Sequence, residues 1–304
     1  MIRLLEDDQA TQLRIALGMV WVWFWRGHVI EGLRALQPPV TISASTPGVT
    51  VPALIRRSVG IVLLSCLAGD YHLVTQGLTA AGQLGASTDD AGAQAYAMCT
   101  IAFFEAGAGQ TAAALEHATL GYELSQRAGS PQRAAEALQS LGMAHLRYDN
   151  LAEAGRCLTA AVTQADACGY LWCAASSLWI LAKVRIAEGD FPDAANRLVL
   201  MLSVCQADAN LTSWLVGLIS LGYVYLRRGD NELAAEITGI ADRQSELIGF
   251  APDVMDPVGT NSYRPQITTA IAAQGVSAIY THGRSLGTDD AFRRVQEITD
   301  PNRR

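Results

Sequence analysis

Hydrophobic and polar positions alternate along this chain with a helical period that pauses at regular intervals. Leu178, Leu181 and Ile186 fall on one side of a helix, and Ala194, Leu198 and Met201 continue the pattern after a break. The breaks are Gly69-Asp70, Gly109-Gln110, Asp149-Asn150, Gly189-Asp190 and Gly229-Asp230, each 40 residues after the last. Gly, Asn and Asp tolerate the left-handed backbone that ends a helix, so each pair predicts a sharp turn between two helices. An earlier pair, Gly27-His28, lies 42 residues before Gly69. Pro192 stands in the first turn of a predicted second helix, where its missing N–H costs nothing.

The flanks of the breaks repeat as well. Eight residues before each stands Ile61, Ile101, Leu141, Leu181 or Leu221, followed by Val62, Ala102, Gly142, Ala182 or Gly222. Five residues after each stands Val74, Ala114, Ala154, Ala194 or Ala234. A large apolar residue in each copy fills the layer between helices, and the small ones beside it let backbones approach. The columns predict equivalent buried layers, with Leu141, Leu181 and Leu221 at matching depths. Each unit reads as a helix, a tight turn, a second helix and a longer link to the next.

Two stretches interrupt the pattern. Gln37 to Pro52 holds four prolines and several Ser and Thr residues, and Phe250 to Pro265 holds three prolines and a glycine; both read as loops. The predicted organisation is a Trp-rich helical hairpin at 1–36, a loop at 37–52, five 40-residue repeats at 53–249, a second loop at 250–265 and closing helices at 266–304. Within that last segment one helix is expected from about Gln266 to Arg284 and a short one from about Asp289 to Ile298.

Charge removes several function classes. The formal net charge is −7, and basic residues cluster only as Arg56-Arg57, Arg227-Arg228, Arg293-Arg294 and Arg303-Arg304. These pairs suit helix ends rather than a phosphate-binding stripe, so no direct nucleic-acid binding is expected. The most apolar stretch, Ile15 to Trp25, is too short to cross a bilayer, and no membrane partner is expected. The charged start Met1-Ile2-Arg3-Leu4-Leu5-Glu6-Asp7-Asp8 lacks a secretory pattern. None of the six cysteines forms a CxxC pair, which points to a reducing, cytoplasmic setting.

The columns Leu138, Leu141, Gly142, Ala154, Leu158 and Ala161, and again Leu218, Leu221, Gly222, Tyr225, Ala234 and Ala241, resemble the tetratricopeptide pattern with a period longer than the usual ~34 residues. The fold class this resemblance implies is all-α, a tetratricopeptide-like right-handed solenoid of about six to seven helical hairpins. The extra residues lengthen either the helices or their links. The stretch Gly275 to Ala291, with Ile279-Tyr280, Gly283-Arg284 and Asp290-Ala291, is similar to the box that closes the helical arm of actinobacterial MalT-like, LuxR-type ATPase regulators. Leu247-Ile248-Gly249-Phe250, Tyr263 and the Trp21, Trp23, Trp25 helix extend that resemblance. There is no GxxxxGK[ST] loop, and only Thr299 to Arg304 follow Ile298, so the resemblance is to the arm without an NTPase or helix-turn-helix domain.

Candidate chemistry is sparse. The histidines His28, His72, His117, His145 and His282 contain no pair at helical ligand spacing, so no metal is expected, and no cofactor motif or GxSxG elbow occurs. Trp21, Trp23 and Trp25 cannot all share one helix face and read as core and capping residues rather than a cage. In tetratricopeptide arrays the first helix of each unit lines the inner face. By that register Tyr96, Cys99 and Phe103, Glu136, Gln139 and Met143, Ser176, Trp179 and Lys183, and Val216, Ile219 and Tyr223 line a groove. The binding residues expected from it are Phe103, Gln139, Met143, Trp179, Lys183 and Tyr223. This chemistry suits a protein or peptide partner laid in the groove. The alternatives are a small-molecule effector in an apolar pocket, or occupation of the groove by the chain's own C-terminal helix. The expected function is a non-enzymatic interaction or sensor scaffold.

Overall fold

The computed structural model describes residues 8–37, 42–273 and 275–300, and these form helices without a strand among them. The helices are α1 (Gln9–Arg26), α2 (Val29–Leu36), α3 (Val51–Leu67), α4 (Tyr71–Ala86), α5 (Ala91–Gly107), α6 (Thr111–Arg127), α7 (Pro131–Arg147) and α8 (Leu151–Ala167). They continue with α9 (Leu171–Glu188), α10 (Phe191–Ala207), α11 (Leu211–Arg227), α12 (Asn231–Ile248), α13 (Pro257–Ala273), α14 (Ser277–Ser285) and α15 (Thr288–Thr299). The fold is all-α and of tetratricopeptide type. It comprises two compact units, Met1–Ser177 and Leu178–Arg304.

The five hairpin turns spaced 40 residues apart close in the same way. Gly69, Gly109, Gly189 and Gly229 have φ between 69° and 86°, and Asp149 has φ 58°. The residue after each donates its N–H back to the carbonyl five positions earlier: Asp70 to Ser65, Gln110 to Glu105, Asn150 to His145, Asp190 to Arg185, Asp230 to Tyr225. This six-to-one bond satisfies a carbonyl that the helix end leaves open. The side chains of Asp70, Asn150 and Asp190 then cap the following helix.

The links between hairpins differ from the longer connections expected. Gly129, Gly169 and Ala209 are also left-handed, and Ser130, Tyr170 and Asn210 make the same backward bond to Ser125, Ala165 and Cys205. These links are therefore as tight as the turns, and the added length of the repeat resides in helices of 17 residues, as in α5, α6, α7 and α8.

In the first unit the small residues sit where backbones meet. Ala102, Ala114 and Ala154 are fully buried, and a Cβ at Gly142 would meet Leu158 Cγ at 2.5 Å. The large-residue column is less uniform than expected. Leu181 and Leu221 are buried, whereas Ile101 and Leu141 are half-covered. Ile101 lies over Gly82, which presents no side chain to cover it.

In the second unit α11 is buried from Thr212 to Tyr225, packed by α10, α12 and α13. A helix apolar on all sides needs cover on all sides, and the C-terminal segment provides it. That segment departs from expectation. Helix α13 begins at Pro257, inside the stretch read as loop, because proline is tolerated at a first helical position and Asp256 Oδ1 accepts the Gly259 N–H at 3.0 Å. The single helix expected over 266–284 is interrupted, since α13 ends at Ala273 and Gly275 is left-handed with φ 69°. Helix α14 then lies against α12 at backbone distance: a Cβ at Gly239 would stand 2.2 Å from the Tyr280 carbonyl oxygen, and one at Gly283 2.3 Å from that of Glu236. Polar clasps fix the docking. Arg284 grips Glu246 at 2.7 and 2.9 Å, Arg294 grips Glu236 at 2.7 and 2.8 Å, and the Tyr280 hydroxyl donates to Asp242 at 2.9 Å.

Two substitutions test this packing. Leu181→Ala, at a site 1% exposed, is expected to cost about 2–5 kcal/mol in urea denaturation. Gly283→Ala forces a methyl into backbone and is expected to cost about 1–3 kcal/mol. A loss below about 0.5 kcal/mol in either would contradict the packing described.

Candidate binding cleft

The first unit holds a cleft of about 350 Å3, counting its open mouth. Its walls come from α1 (Trp21), α3 (Val59, Leu63), α5 (Tyr96, Cys99, Thr100, Phe103, Phe104), α7 (Glu136, Gln139, Ser140) and the start of α9 (Trp172). The α5 and α7 residues follow helical spacing, so one face of each helix meets the space. Trp21 and Trp25, one turn apart, stack at 6.0 Å, and Trp21 reaches Trp172 at 5.2 Å. Trp23 faces the other way, against Gly32.

The polar side of the cleft is a buried charge network. Arg133 Nη1 donates to Glu136 Oε2 at 2.5 Å and the Tyr170 hydroxyl to Glu136 Oε1 at 2.6 Å. The Arg133 guanidinium lies over the Tyr96 ring at 4.0 Å. Burial raises the Glu136 pKa, opposed by the Arg133 charge and the two hydrogen bonds. Burial also works against the Arg133 charge, but Glu136, Tyr170 and Tyr96 outweigh it and the guanidinium is held more firmly cationic. Burial pushes the Tyr96 phenol up to about 12 and the Cys99 thiol well above its ordinary value. Each group in this network is occupied by another.

Gln139 stands apart. It is 1% exposed, it lines the cleft, and its amide nitrogen is buried without a hydrogen-bond partner. An unsatisfied buried donor costs about 1–3 kcal/mol. An acceptor entering the cleft removes that cost.

The structure places the expected binding residues in different settings. Tyr96, Cys99, Phe103, Glu136 and Gln139 come together at the cleft. Met143 packs instead on Ala106, Ala114 and Ala144. In the second unit the chain's own C-terminal segment meets Lys183 and Tyr223, and Trp179 is engaged by neighbouring helix residues. The Trp179 indole donates to Ser220 Oγ at 3.2 Å, and Lys183 Nζ sits 4.1 Å over the Trp179 ring and 2.6 Å from Asp256 Oδ1. Tyr223 stacks on Tyr263 at 4.1 Å, beside Ile267. Burial, then the Asp256 charge, raise the Tyr263 pKa.

Sequence reasoning missed Trp172, Arg133 and Tyr170 at the cleft and Asp256 in the second unit. Trp172 and Tyr170 stand at the start of α9, before the part of the helix that the repeat register assigns to the groove. Asp256-Pro257 is a helix-start pair that marked α13 and its cap.

No protein-family model matches the sequence, and no curated protein matches it. Solved structures do. A Rap protein complexed with competence and sporulation factor aligns with a TM-score of 0.61 at 10% identity, over 95% of this chain and 94% of its own. Aspartyl phosphate phosphatase F from Bacillus subtilis aligns with 0.52 at 12% identity, over 96% and 84%. BtubC from P. vanneervenii aligns with 0.50 at 17% identity, over 78% and 92%. At these identities the likeness concerns the fold: a tetratricopeptide-type array of helical hairpins. No helix among the described residues is long and apolar enough to cross a membrane.

The Lys183–Asp256 pair generates a test. Asp256→Ala removes the carboxylate partner of a half-buried ammonium and is expected to cost about 1–3 kcal/mol. Lys183→Met combined with it should recover part of that loss, with a coupling above about 1 kcal/mol in a denaturation cycle. Strict additivity would show that the pair does not hold the segment in place.

Proposed function

We propose that this chain is a non-enzymatic interaction scaffold that takes a peptide or protein segment in the cleft of its first unit. The observation that carries the reading is the orphaned Gln139 amide nitrogen set among Phe103, Trp21 and Trp172. A backbone carbonyl of a bound segment supplies the missing acceptor, and an apolar side chain of the same segment covers the rings. The fold it shares with a Rap protein complexed with competence and sporulation factor supports a partner-holding role. Likeness to a phosphatase in name does not carry an enzyme reading, because the one carboxylate of the cleft, Glu136, is engaged by Arg133 and Tyr170, and burial keeps the Cys99 thiol protonated.

The finer reading is the regulatory arm of a MalT-like, LuxR-type regulator, in the cytoplasm. Its support is the segment Gly275 to Ala291, whose Tyr280, Gly283 and Arg284 clasp α12 as a closing cap, together with six free cysteines suited to a reducing compartment. The acidic charge speaks against nucleic acid as a direct partner. A small effector is the second reading, favoured by the aromatic walls of Trp21, Phe103 and Trp172 around a single open polar group, Gln139.

Gln139→Leu separates binding from folding by sign. It removes the orphan donor and is expected to stabilise the free chain by about 1 kcal/mol. The same change should weaken peptides selected from a random display library by at least about tenfold, equivalent to about 1.4 kcal/mol. Trp172→Ala should weaken them as well. Selected peptides that bind both variants unchanged would refute the cleft as the binding surface. A display selection that yields none, with a melting shift for small effectors, would favour the second reading.

A further inference from the structure

The α7–α8 hairpin gathers three metal-ligating side chains away from the cleft. His145 stands in the last turn of α7, and Glu153 and Cys157 stand one turn apart on α8, so they share a face. One ligand atom from each, an imidazole nitrogen, a carboxylate oxygen and a thiol sulfur, lies within 4.8 Å of the others. Cys157 is buried, while His145 and Glu153 are half-buried, so the cluster opens to solvent on one side. No hydrogen bond claims the His145 ring among the described residues.

A cation already stands at this cluster. Arg156 Nε donates to Glu153 Oε2 at 2.9 Å, its Nη2 contacts Glu153 Oε1, and that same nitrogen lies 3.8 Å from Cys157 Sγ. The guanidinium thus neutralises the carboxylate and approaches the sulfur. Its side chain is 67% exposed and has solvent to move into.

We propose that His145, Glu153 and Cys157 form a binding site for a zinc-class divalent ion, with water in the fourth position. The donor set is one nitrogen, one oxygen and one sulfur, a mixture suited to zinc or cobalt rather than to calcium or magnesium. In a tetrahedral shell the ligand atoms stand about 3.5 Å apart, so the side chains close inward by about an ångström. On binding, the Cys157 S–H bond breaks, the thiolate sulfur bonds the metal and one proton passes to solvent. Glu153 exchanges its Arg156 hydrogen bonds for the metal, and the neutral imidazole donates a lone pair. The ion joins the last turn of α7 to the first turns of α8 across the left-handed Asp149.

The test is titration of the reduced full-length chain with cobalt(II), followed by zinc. The expected result is one equivalent of cobalt with visible tetrahedral bands and a near-ultraviolet thiolate-to-cobalt band, both erased by zinc. Cys157→Ser should abolish the thiolate band. His145→Ala and Glu153→Gln, at half-buried sites where folding is retained, should each weaken binding by at least about tenfold. Arg156→Ala should tighten it, since the competing cation is gone. A missing thiolate band, a band that survives Cys157→Ser, or affinity unchanged in both His145→Ala and Glu153→Gln overturns the site. Weaker binding in Arg156→Ala overturns the role given to the guanidinium.

Discussion

The six-to-one hydrogen bond across a left-handed residue is the constraint on which the architecture rests. It ends helix after helix at matching points, in hairpin turns and inter-hairpin links alike. Where links such as Gly129 and Gly169 are as short as the turns, the neighbouring helices of the first unit stay in register. That register keeps the small columns opposed, so that Ala102 and Ala114, or Gly142 and Leu158, meet at the same height. A looser link would let the helices slide and expose the small residues to large ones.

Close backbone approach has a second consequence. Helices held together by alanine and glycine bury little apolar area per contact, and larger side chains must complete the core elsewhere. In the second unit the C-terminal segment performs that task. Trp214 meets Phe292 at 4.5 Å, Tyr223 meets Tyr263, and Asp256 pairs with the half-buried Lys183 ammonium. The face is polar enough to receive a ligand, but the chain supplies its own. In the first unit α1 reaches Trp172 through Trp21, and a donor on the neighbouring wall is left without a partner. The expected groove residues Lys183 and Tyr223 of the second unit meet the chain's own Asp256 and Tyr263, whereas Gln139 in the cleft of the first keeps an open donor.

Buried polar groups behave differently in the two places. Glu136 has Arg133 and Tyr170 as partners and rigidifies the cleft floor, whereas Gln139 is a donor without an acceptor. Low dielectric strengthens the former and penalises the latter. Such a pairing of a fixed network with one open group suits recognition, since the network orients the walls while the open group rewards an acceptor at a single point.

Much of the fold was legible in the sequence because its determinants are local. Helical periodicity, turn residues at 40-residue steps and small-residue columns specify hairpins without reference to distant parts of the chain. The inward positions Tyr96, Phe103, Glu136 and Gln139 followed from that register as well. The rest depends on which surface meets which. Pro257 and Pro265 read as loop residues, yet capping by Asp256 and docking on α11 make the segment helical, because tertiary contacts outweigh propensity. Lys183 read as a residue lining the groove, and only the folded chain sets Asp256 against it, 73 positions away. His145, Glu153 and Cys157 carry no ligand motif in sequence, since their spacing spans a turn whose geometry brings the two helices together. Sequence alone determined where the helices of the 40-residue repeats turn, because capping and left-handed turns are properties of a few neighbouring residues. Tertiary structure decided which polar groups are paired and which are left open, because burial and partnership are set by the meeting of helices far apart in the chain.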